Sequence, residues 1–335
     1  MSGHPYARLT PDLILAAVET SGVRCDGTFI ALNSYENRVY QVGVEDALPL
    51  IVKFYRPHRW SWAAIEEEHK FTIQLADYGI PVVVPEEDHK GKTLREFQGF
   101  KLALYQLRVG RAPELGNTEV LESIGRLLGR IHNVGRINRF QHRPVFNIEN
   151  YLRPGFDYVK KELIVPADIQ SSDFLAAEEA LVLAADTMNT QTEMMELRIH
   201  GDCHSGNILW TDNGPHFVDF DDCRTGPAIQ DLWMMLSGER EERTRQLADL
   251  LRGYCDFCDF DQRELRLIES LRVIRMLHHT AWLAQRWTDP AFPMHFPWFN
   301  TPRYWEEQIQ ALREQYEQLL KPPIEWREYH SSTAR

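Results

Sequence analysis

The sequence contains no run of about 18 apolar residues, the length that a helix needs to cross a membrane. Its first residues, MSGHPYARLTPDL, lack the basic segment and apolar run of a secretory leader. Basic residues are scarce, because 37 Lys and Arg face 49 Asp and Glu and the net charge is −12. Since a nucleic-acid groove needs clustered Lys and Arg, this balance argues against nucleic-acid binding. We expect a cytoplasmic, monomeric protein with neither a membrane nor a nucleic-acid partner.

Cysteines are few and follow no pattern. The five are Cys25, Cys203, Cys223, Cys255 and Cys258. An odd, irregular set is typical of reduced cytosolic thiols rather than a disulfide framework. Cys255 and Cys258 form a single C-x-x-C, and without a second pair a zinc site is only a weak alternative. We expect Cys203 and Cys223 to be buried and inert, with sensitivity to oxidation as the alternative.

The most informative stretch is RIHGDCHSGNILWTDNGPHFVDFDD, residues 198–222. Asn207 follows Asp202 by five positions, and Asp219 follows Asn207 by twelve. Phosphoryl transfer needs one carboxylate beside the attacking hydroxyl and oxygen ligands that hold Mg²⁺ across the phosphates. Asp202 suits the first task, and Asn207 and Asp219 suit the second. The order and spacing match a kinase catalytic loop followed by a metal-binding strand end.

Two other interpretations fit parts of this stretch. An isolated Asp-x4-Asn is common in turns, where both side chains cap backbone groups. Alternatively, His200, Asp202 and His204 are ligands of a hydrolase metal, as in metallophosphoesterases. That site would need further clusters of His and Asp, and the other histidines are scattered singly. Three matched elements in the same order favour the phosphotransfer interpretation.

A lysine and a glutamate upstream strengthen this interpretation. Lys53 lies in the strand-like run LIVKFY, where a nucleotide kinase needs a lysine that reaches the phosphates. An edge-strand lysine facing water is the alternative. In the helix predicted over 61–78, helical spacing places Glu68 on the apolar face. A buried carboxylate needs a partner, and Lys53 is the obvious one.

No glycine-rich G-x-G-x-x-G loop precedes these strands. Its place is taken by a polar turn, residues 32–38, between two strands. Its backbone N–H groups and the Ser34 hydroxyl are suited to phosphate oxygens, although an ordinary hairpin loop has the same composition.

The chain divides into two predicted parts. With 335 residues and 43% hydrophobic content, it is large enough for two lobes with packed cores. We predict a nucleotide-binding lobe over 1–107, in which runs 39–44, 50–55, 81–85 and 99–107 form a small sheet. The hinge lies at 105–107, where backbone groups would bind adenine.

A mainly helical lobe over 108–335 carries the catalytic loop. Its predicted helices start at Asn117 or Thr118 and extend over 171–188, 241–258, 262–286 and 303–319. Aromatic residues over 282–305 are expected to pack as a C-terminal wrap.

The motif H-G-D-x4-N, followed by V-D-F-D-D, resembles the signature of the aminoglycoside phosphotransferase and choline kinase-like family. Segments 32–42, 52–57, 200–210, 226–233 and 289–298 further resemble a proteobacterial group of serine/threonine protein kinases in that family. The resemblance implies an α+β, bilobal protein-kinase-like fold with a small antiparallel β lobe and a larger helical lobe. It also implies ATP and Mg²⁺ as cofactors, and phosphorylation of Ser or Thr in proteins, itself included, in a stress response that protects cells from death. The implied roles are Asp202 as proton acceptor, Asn207 and Asp219 as Mg²⁺ ligands, Ser34 as an ATP contact, and Lys53 with Glu68 as the phosphate-positioning pair.

The chain differs from eukaryotic protein kinases in two respects. Gly201 replaces the arginine that grips a phosphorylated activation loop in many of them, and only seven residues separate Asp219 from Pro227. We therefore predict activity without activation-loop phosphorylation. Asp231, whose simplest role is to cap a helix, is expected to pin the catalytic loop by accepting backbone hydrogen bonds.

Two alternative functions remain open. The same site serves a small-molecule phosphotransferase acting on choline, an amino sugar or an amino alcohol, and an acidic cleft would favour such a cationic substrate. A binding scaffold that retains the fold without catalysis is the third possibility, although Lys53, Asp202, Asn207 and Asp219 are all present.

Overall fold

An antiparallel sheet forms the first lobe of the computed structural model, which describes residues 4–151, 153–161, 171–189 and 196–326. Its strand order is β1-β2-β3-β5-β4. The strands are β1 (Cys25–Ala31), β2 (Arg38–Val44), β3 (Leu50–Phe54), β4 (Arg95–Phe97) and β5 (Phe100–Gln106). Lys53 on the central strand β3 pairs with Val39 on one side and Ala103 on the other. The lysine therefore lies within the sheet and not at its edge.

Two helices flank this sheet. In α1 (Pro11–Glu19), capped by the Thr10 side chain, the buried residues pack against the apolar side chains of the strands. The longer α2 (Trp62–Asp77) begins after Ser61, whose hydroxyl accepts the Ala64 N–H at 3.1 Å. Glu68 lies on its buried face and is 3% exposed. The predicted inward orientation of Glu68 is confirmed.

Residues 81–85 were expected to continue the sheet, and this prediction is wrong. They form isolated bridges, Val82 with Phe217 and Pro85 with Tyr105, and β4 occupies the sheet edge instead. The segment has a proline at each end, and proline cannot donate a hydrogen bond to a ladder. It thus runs between the lobes and contacts both. The lobe boundary after residue 107 remains a prediction.

The second lobe is mainly helical, with two short antiparallel strand pairs. Its helices are α3 (Thr118–Gly135), α4 (Ile148–Tyr151), α5 (Arg153–Lys161), α6 (Ser171–Asn189), α7 (Ile229–Leu232), α8 (Arg240–Tyr254), α9 (Ile268–Arg286), α10 (Ala291–His295) and α11 (Pro302–Leu319). The short strands are β6 (Leu197–Ile199), β7 (Ile208–Thr211), β8 (Gly214–Phe217) and β9 (Arg224–Gly226), paired as β6 with β9 and β7 with β8. The predicted bilobal α+β architecture is confirmed.

Helices α3 and α8 pack closely at the centre of this lobe. A Cβ added at Gly125 or Gly129 would overlap the backbone of Leu250 or Tyr254. Both glycines therefore allow the two helix backbones to approach each other.

Two helix boundaries differ from the prediction. Helix α8 ends at Tyr254, earlier than expected, and residues 262–286 are divided into a 3₁₀ helix, Gln262–Leu267, and α9. In that 3₁₀ helix the buried Glu264 carboxylate accepts the Ile229 N–H at 2.7 Å, a contact between segments that helical periodicity does not reveal. Within the described ranges, no helix is both long enough and apolar enough to span a bilayer.

Candidate active site

The buried Asp231 carboxylate binds the backbone of the loop that carries Asp202. Asp231 accepts the N–H of His200 at 2.7 Å and the N–H of Gly201 at 2.8 Å, and it lies 3.0 Å from Nε2 of His132. Burial raises the pKa of Asp231, but the hydrogen bond and charge of His132 lower it below its ordinary value. The carboxylate therefore stays ionised, and the predicted hydrogen bonds from the catalytic loop are confirmed.

Gly201 has a conformation that excludes a side chain. Its φ is +87°, and a Cβ would meet the backbone oxygen of Asp222. An arginine at this position, as in many eukaryotic protein kinases, would thus require a different course of the loop.

A β-hairpin brings Asn207 and Asp219 together. Strands β7 and β8 pair Ile208 with Phe217, and the Val218 N–H donates to the Asn207 carbonyl at 3.0 Å. Asn207 precedes β7 and Asp219 lies two residues after β8, so both are located at the open end of the hairpin. Asn207 also donates through Nδ2 to the Asp202 carbonyl at 2.9 Å, which ties the hairpin to the loop.

Asp202 is partly exposed and contacts a residue from a distant helix. Nη1 of Arg275, on α9, donates to Oδ1 of Asp202 at 2.7 Å, and Nε2 of His204 lies 3.6 Å from Oδ2. Sequence reasoning missed Arg275. The sequence signal near it is the pair of histidines, His278 and His279, in the helix predicted over 262–286.

The Lys53 side chain contacts acidic residues of both lobes. Its Nζ is 3.3 Å from Oε1 of Glu68, 3.0 Å from Oδ1 of Asp219 and 3.3 Å from Oδ1 of Asp221. Burial lowers the pKa of Lys53, but the charges of Asp219, Asp221 and Glu68 raise it well above its ordinary value. The ammonium is therefore charged, and it joins the predicted Glu68 partner to the predicted metal ligand Asp219.

Arg143 completes this network and was also missed. The buried guanidinium donates to Oε2 of Glu68 at 2.6 Å, to the Asp221 carbonyl at 2.6 Å and to the Ala64 carbonyl at 2.8 Å. Burial lowers the pKa of Arg143, but the charges of the Glu68 and Asp221 carboxylates help to raise it above its ordinary value. No local pattern distinguishes this arginine from an exposed one.

The acidic pair after Asp219 is neutralised by arginines. Arg59 contacts Oδ2 of Asp221 and donates to Oδ1 of Asp222 at 2.8 Å, and Arg224 donates to the same Oδ1 at 2.8 Å. Burial raises the pKa of Asp222, but the charges of Arg59 and Arg224 lower it well below its ordinary range. These carboxylates are therefore internal ion-pair partners.

The loop that carries Ser34 is anchored to the helical lobe. Ser34 donates to the Asn37 carbonyl at 3.3 Å, and the Tyr35 ring packs edge-on against Phe296 at 4.8 Å between centroids. Glu36 accepts from Nε1 of Trp282 at 2.6 Å and from Nη2 of Arg286 at 3.0 Å. The predicted aromatic wrap therefore packs against this loop.

The structure does not support the rival metal and thiol interpretations. Nε2 of His200 lies 2.9 Å from the Val218 carbonyl and thus contacts backbone rather than a shared metal position. No cluster of three or more His, Cys, Asp or Glu suited to a metal occurs among the described residues. Cys203 and Cys223 are buried, and burial raises the pKa of Cys223 to about 12, so the expectation of inert thiols is supported.

The donor set at the hairpin end nevertheless fits Mg²⁺. Asn207 uses its amide nitrogen to bond Asp202, so its oxygen is the atom that it can offer to a cation. Asp219 is half exposed, at 48% of its side chain, and Lys53 contacts only its Oδ1. Because Mg²⁺ in kinases is held by one or two protein oxygens together with substrate phosphates, two such donors suffice.

Comparison with known proteins agrees with this geometry. A family model described as the phosphotransferase enzyme family matches residues 28–268. The chain belongs to this family. Stress response kinase A of Escherichia coli K12 is 43% identical over 324 residues, which cover 97% of this phosphotransferase and 98% of the relative. A serine/threonine protein kinase named RdoA, from Salmonella typhimurium LT2, is 42% identical over 96% of each chain.

Solved structures share the fold of this phosphotransferase. Amicoumacin kinase hAmiN superposes with a TM-score of 0.70 at 20% identity and covers 95% of this chain and 96% of its own. A microcompartment-associated aminopropanol kinase gives 0.69 at 15% identity over 91% and 95%. The family resemblance inferred from the sequence motifs is confirmed, and the chain is a kinase.

Proposed function

We propose that this kinase transfers the γ-phosphoryl group of ATP to serine or threonine hydroxyls of proteins, its own included, with Mg²⁺ as the metal. The observation that supports phosphotransfer is the 3.0 Å contact between Lys53 and Asp219, at the end of the hairpin that also carries Asn207. Support for the protein substrate is the 42% identity to a relative named serine/threonine protein kinase. A related fold solved with AMP-PNP and Ca²⁺ supports a nucleotide and a divalent cation.

Each predicted residue has a role in this proposal. Asp202 accepts the proton of the acceptor hydroxyl through Oδ2, because Arg275 occupies Oδ1. Asn207 and Asp219 hold Mg²⁺, which neutralises charge on the phosphates. The pair of Lys53 and Glu68 orients the α and β phosphates. Ser34 contacts ATP once its hydroxyl rotates away from the Asn37 carbonyl, and backbone groups of 105–107 bind adenine.

The alternative is a small-molecule phosphotransferase for choline, an amino sugar or an amino alcohol. An aminopropanol kinase and a choline kinase share the fold, with TM-scores of 0.69 and 0.60. Both alternatives use the same proton acceptor and metal ligands, so only the acceptor distinguishes them.

The test is phosphate transfer from labelled ATP with Mg²⁺ to a generic protein, to the kinase itself and to a panel of choline, amino sugars and amino alcohols. Wild type is compared with Asp202→Ala and with Asp212→Ala, an exposed carboxylate of the adjacent β7–β8 hairpin. We expect label on protein Ser or Thr with wild type and Asp212→Ala, and loss of transfer with Asp202→Ala. Transfer to small molecules alone would establish the alternative, and ATP binding without any transfer would indicate a scaffold.

We further propose that the kinase acts in a cytoplasmic stress response that protects cells from death. The support for a stress response is the name stress response kinase A of a 43% identical relative. The test is survival of stressed E. coli that lacks its own stress response kinase A and expresses either wild type or Asp202→Ala. Rescue by wild type alone is expected, and equal survival with both proteins would contradict a kinase-dependent role.

A further inference from the structure

Arg275 places a fixed positive charge directly beside the proposed proton acceptor. It lies on α9, and the 2.7 Å bond to Oδ1 of Asp202 joins residues that are 73 positions apart. Both side chains are partly exposed, Arg275 at 35% and Asp202 at 22%. This ion pair is therefore in contact with solvent, and it is not a sealed structural contact.

The two histidines that follow Arg275 on α9 add no charge next to this ion pair. Burial lowers the pKa of His278 to about 3 and that of His279 to about 4, with Arg275 as the second cause in both cases. The His278 and His279 imidazoles are thus neutral at pH 7.

The nearby Asp222 carboxylate already has arginine partners. Asp222 is paired with Arg59 and Arg224, and the Arg224 guanidinium also lies 4.5 Å from the Tyr151 ring centroid. Tyr151 stacks in turn on His278 at 4.2 Å between centroids. Among the described residues, Arg275 is therefore the arginine that balances the charge of Asp202.

We propose that Arg275 is a positioning and specificity-determining residue for the acceptor. By holding Oδ1 it turns Oδ2 toward the incoming hydroxyl, and its charge disfavours a cationic group next to that hydroxyl. The substrate class is therefore a serine or threonine flanked by neutral or acidic groups, and not choline or an amino sugar. This inference rests on the proposed phosphotransfer at Asp202.

The physical reason is charge balance at short range. A site that selects a cation needs carboxylates whose negative charge no nearby arginine balances. Arg275 balances the charge of Asp202. Its own positive charge would repel a substrate cation a few ångströms away, since like charges repel each other in a partly desolvated cleft. Its guanidinium is planar and permanently charged, whereas a lysine would supply the charge without the fixed geometry. The two functions can thus be separated by substitution.

The test uses three peptides with the same central serine, flanked by Glu, Gln or Lys, together with choline and an uncharged alcohol. The enzymes are wild type, Arg275→Gln, Arg275→Lys and Arg266→Gln, which makes the same charge change at an exposed residue. We expect wild type to favour the Glu over the Lys peptide in kcat/KM, and Arg275→Gln to reduce that ratio by on the order of tenfold. Arg275→Lys should keep the ratio while kcat falls, and Arg266→Gln should match wild type.

Melting temperature and ATP affinity, measured on all variants, separate local effects from misfolding. An equal loss for every acceptor in Arg275→Gln would show a merely structural role and overturn the inference. Preference of wild type for choline or the Lys peptide would overturn it as well. If uncharged alcohols rather than peptides are phosphorylated and Arg275→Gln relaxes the discrimination against choline, the role of Arg275 against cationic acceptors stands, while the protein-kinase proposal and the serine or threonine substrate class fail.

Discussion

Arg143 donates a 2.6 Å hydrogen bond to Oε2 of Glu68, the carboxylate whose other oxygen lies 3.3 Å from Nζ of Lys53. The same guanidinium bonds the carbonyls of Ala64 on α2 and of Asp221 after the hairpin. One buried side chain thus fixes the helix that carries Glu68 relative to the segment that carries Asp219. Glu67 adds to this attachment, since it accepts three successive backbone N–H groups, those of residues 141–143, at 2.7 to 2.9 Å.

The first prediction concerns Arg143. Arg143→Met leaves Glu68 buried with a single cationic partner, so the free energy of unfolding should fall by about 3 kcal/mol. The KM for ATP should rise, because Lys53 loses its fixed partner geometry. Chemical denaturation and steady-state kinetics measure both effects, with the exposed Arg139→Met as control. Loss of stability with an unchanged KM would show that Arg143 has no part in positioning Lys53.

The second prediction is constitutive activity. Between Asp219 and Pro227 the only hydroxyl residue is Thr225, which is 3% exposed and lies in the short strand β9. A buried strand residue is not accessible to another kinase without local unfolding. Phosphatase-treated enzyme and Thr225→Val should therefore retain kcat/KM within about twofold of the untreated wild type. Strong activation after phosphorylation at Thr225 would contradict this.

The core of the site was predictable because it is local. Asp202, Asn207 and Asp219 lie in one loop and one hairpin, so their linear spacing determines their proximity. Glu68 was predictable for a different reason, since helical periodicity placed it on a buried face where a charge needs a partner. In each case, residues that are close together in the sequence determine where the side chain lies.

Arg143 and Arg275 were not predictable because their partners are distant, 75 residues away for Glu68 and 73 for Asp202. Composition and periodicity describe a segment and its neighbours, and they do not indicate which segments meet. The error at 81–85 has a similar origin. The apolar run resembled a strand, but tertiary contacts and its two prolines gave it isolated bridges instead.

The third prediction concerns the metal. Asp219→Asn removes a negative ligand and weakens the contact with Lys53, so the Mg²⁺ concentration for half-maximal activity should rise about tenfold and kcat should fall. Binding of ATP without Mg²⁺ should change less. Asp212→Asn, an exposed carboxylate on the same hairpin, serves as control. Identical Mg²⁺ dependence in both variants would exclude Asp219 as a ligand.

The fourth prediction concerns pH. Burial lowers the pKa of His69 to about 3, and the imidazole bonds Tyr55 and Thr93 within the core. Below about pH 6.5 the unfolded chain binds a proton at His69 that the folded protein does not bind. This residue therefore reduces stability as pH falls from about 6.5 toward 3. In His69→Gln, the slope of unfolding free energy against pH in that window should decrease by about 1.4 kcal/mol per unit. An unchanged slope in urea titrations at pH 5 and 6 would contradict this.

The fifth prediction concerns Asp231, which is fully buried beneath the catalytic loop. Its two oxygens accept the N–H groups of His200 and Gly201, and an amide has only one oxygen to offer. Asp231→Asn therefore leaves one backbone N–H facing an NH₂ group, at a cost of about 1 to 3 kcal/mol. Because the loop carries Asp202 but the proposed nucleotide contacts lie elsewhere, kcat should fall by on the order of 100-fold while ATP affinity changes little. Isothermal titration with ATP and single-turnover kinetics separate these quantities. A loss of ATP affinity equal to the loss of kcat would show that Asp231 supports the whole site and not the loop in particular.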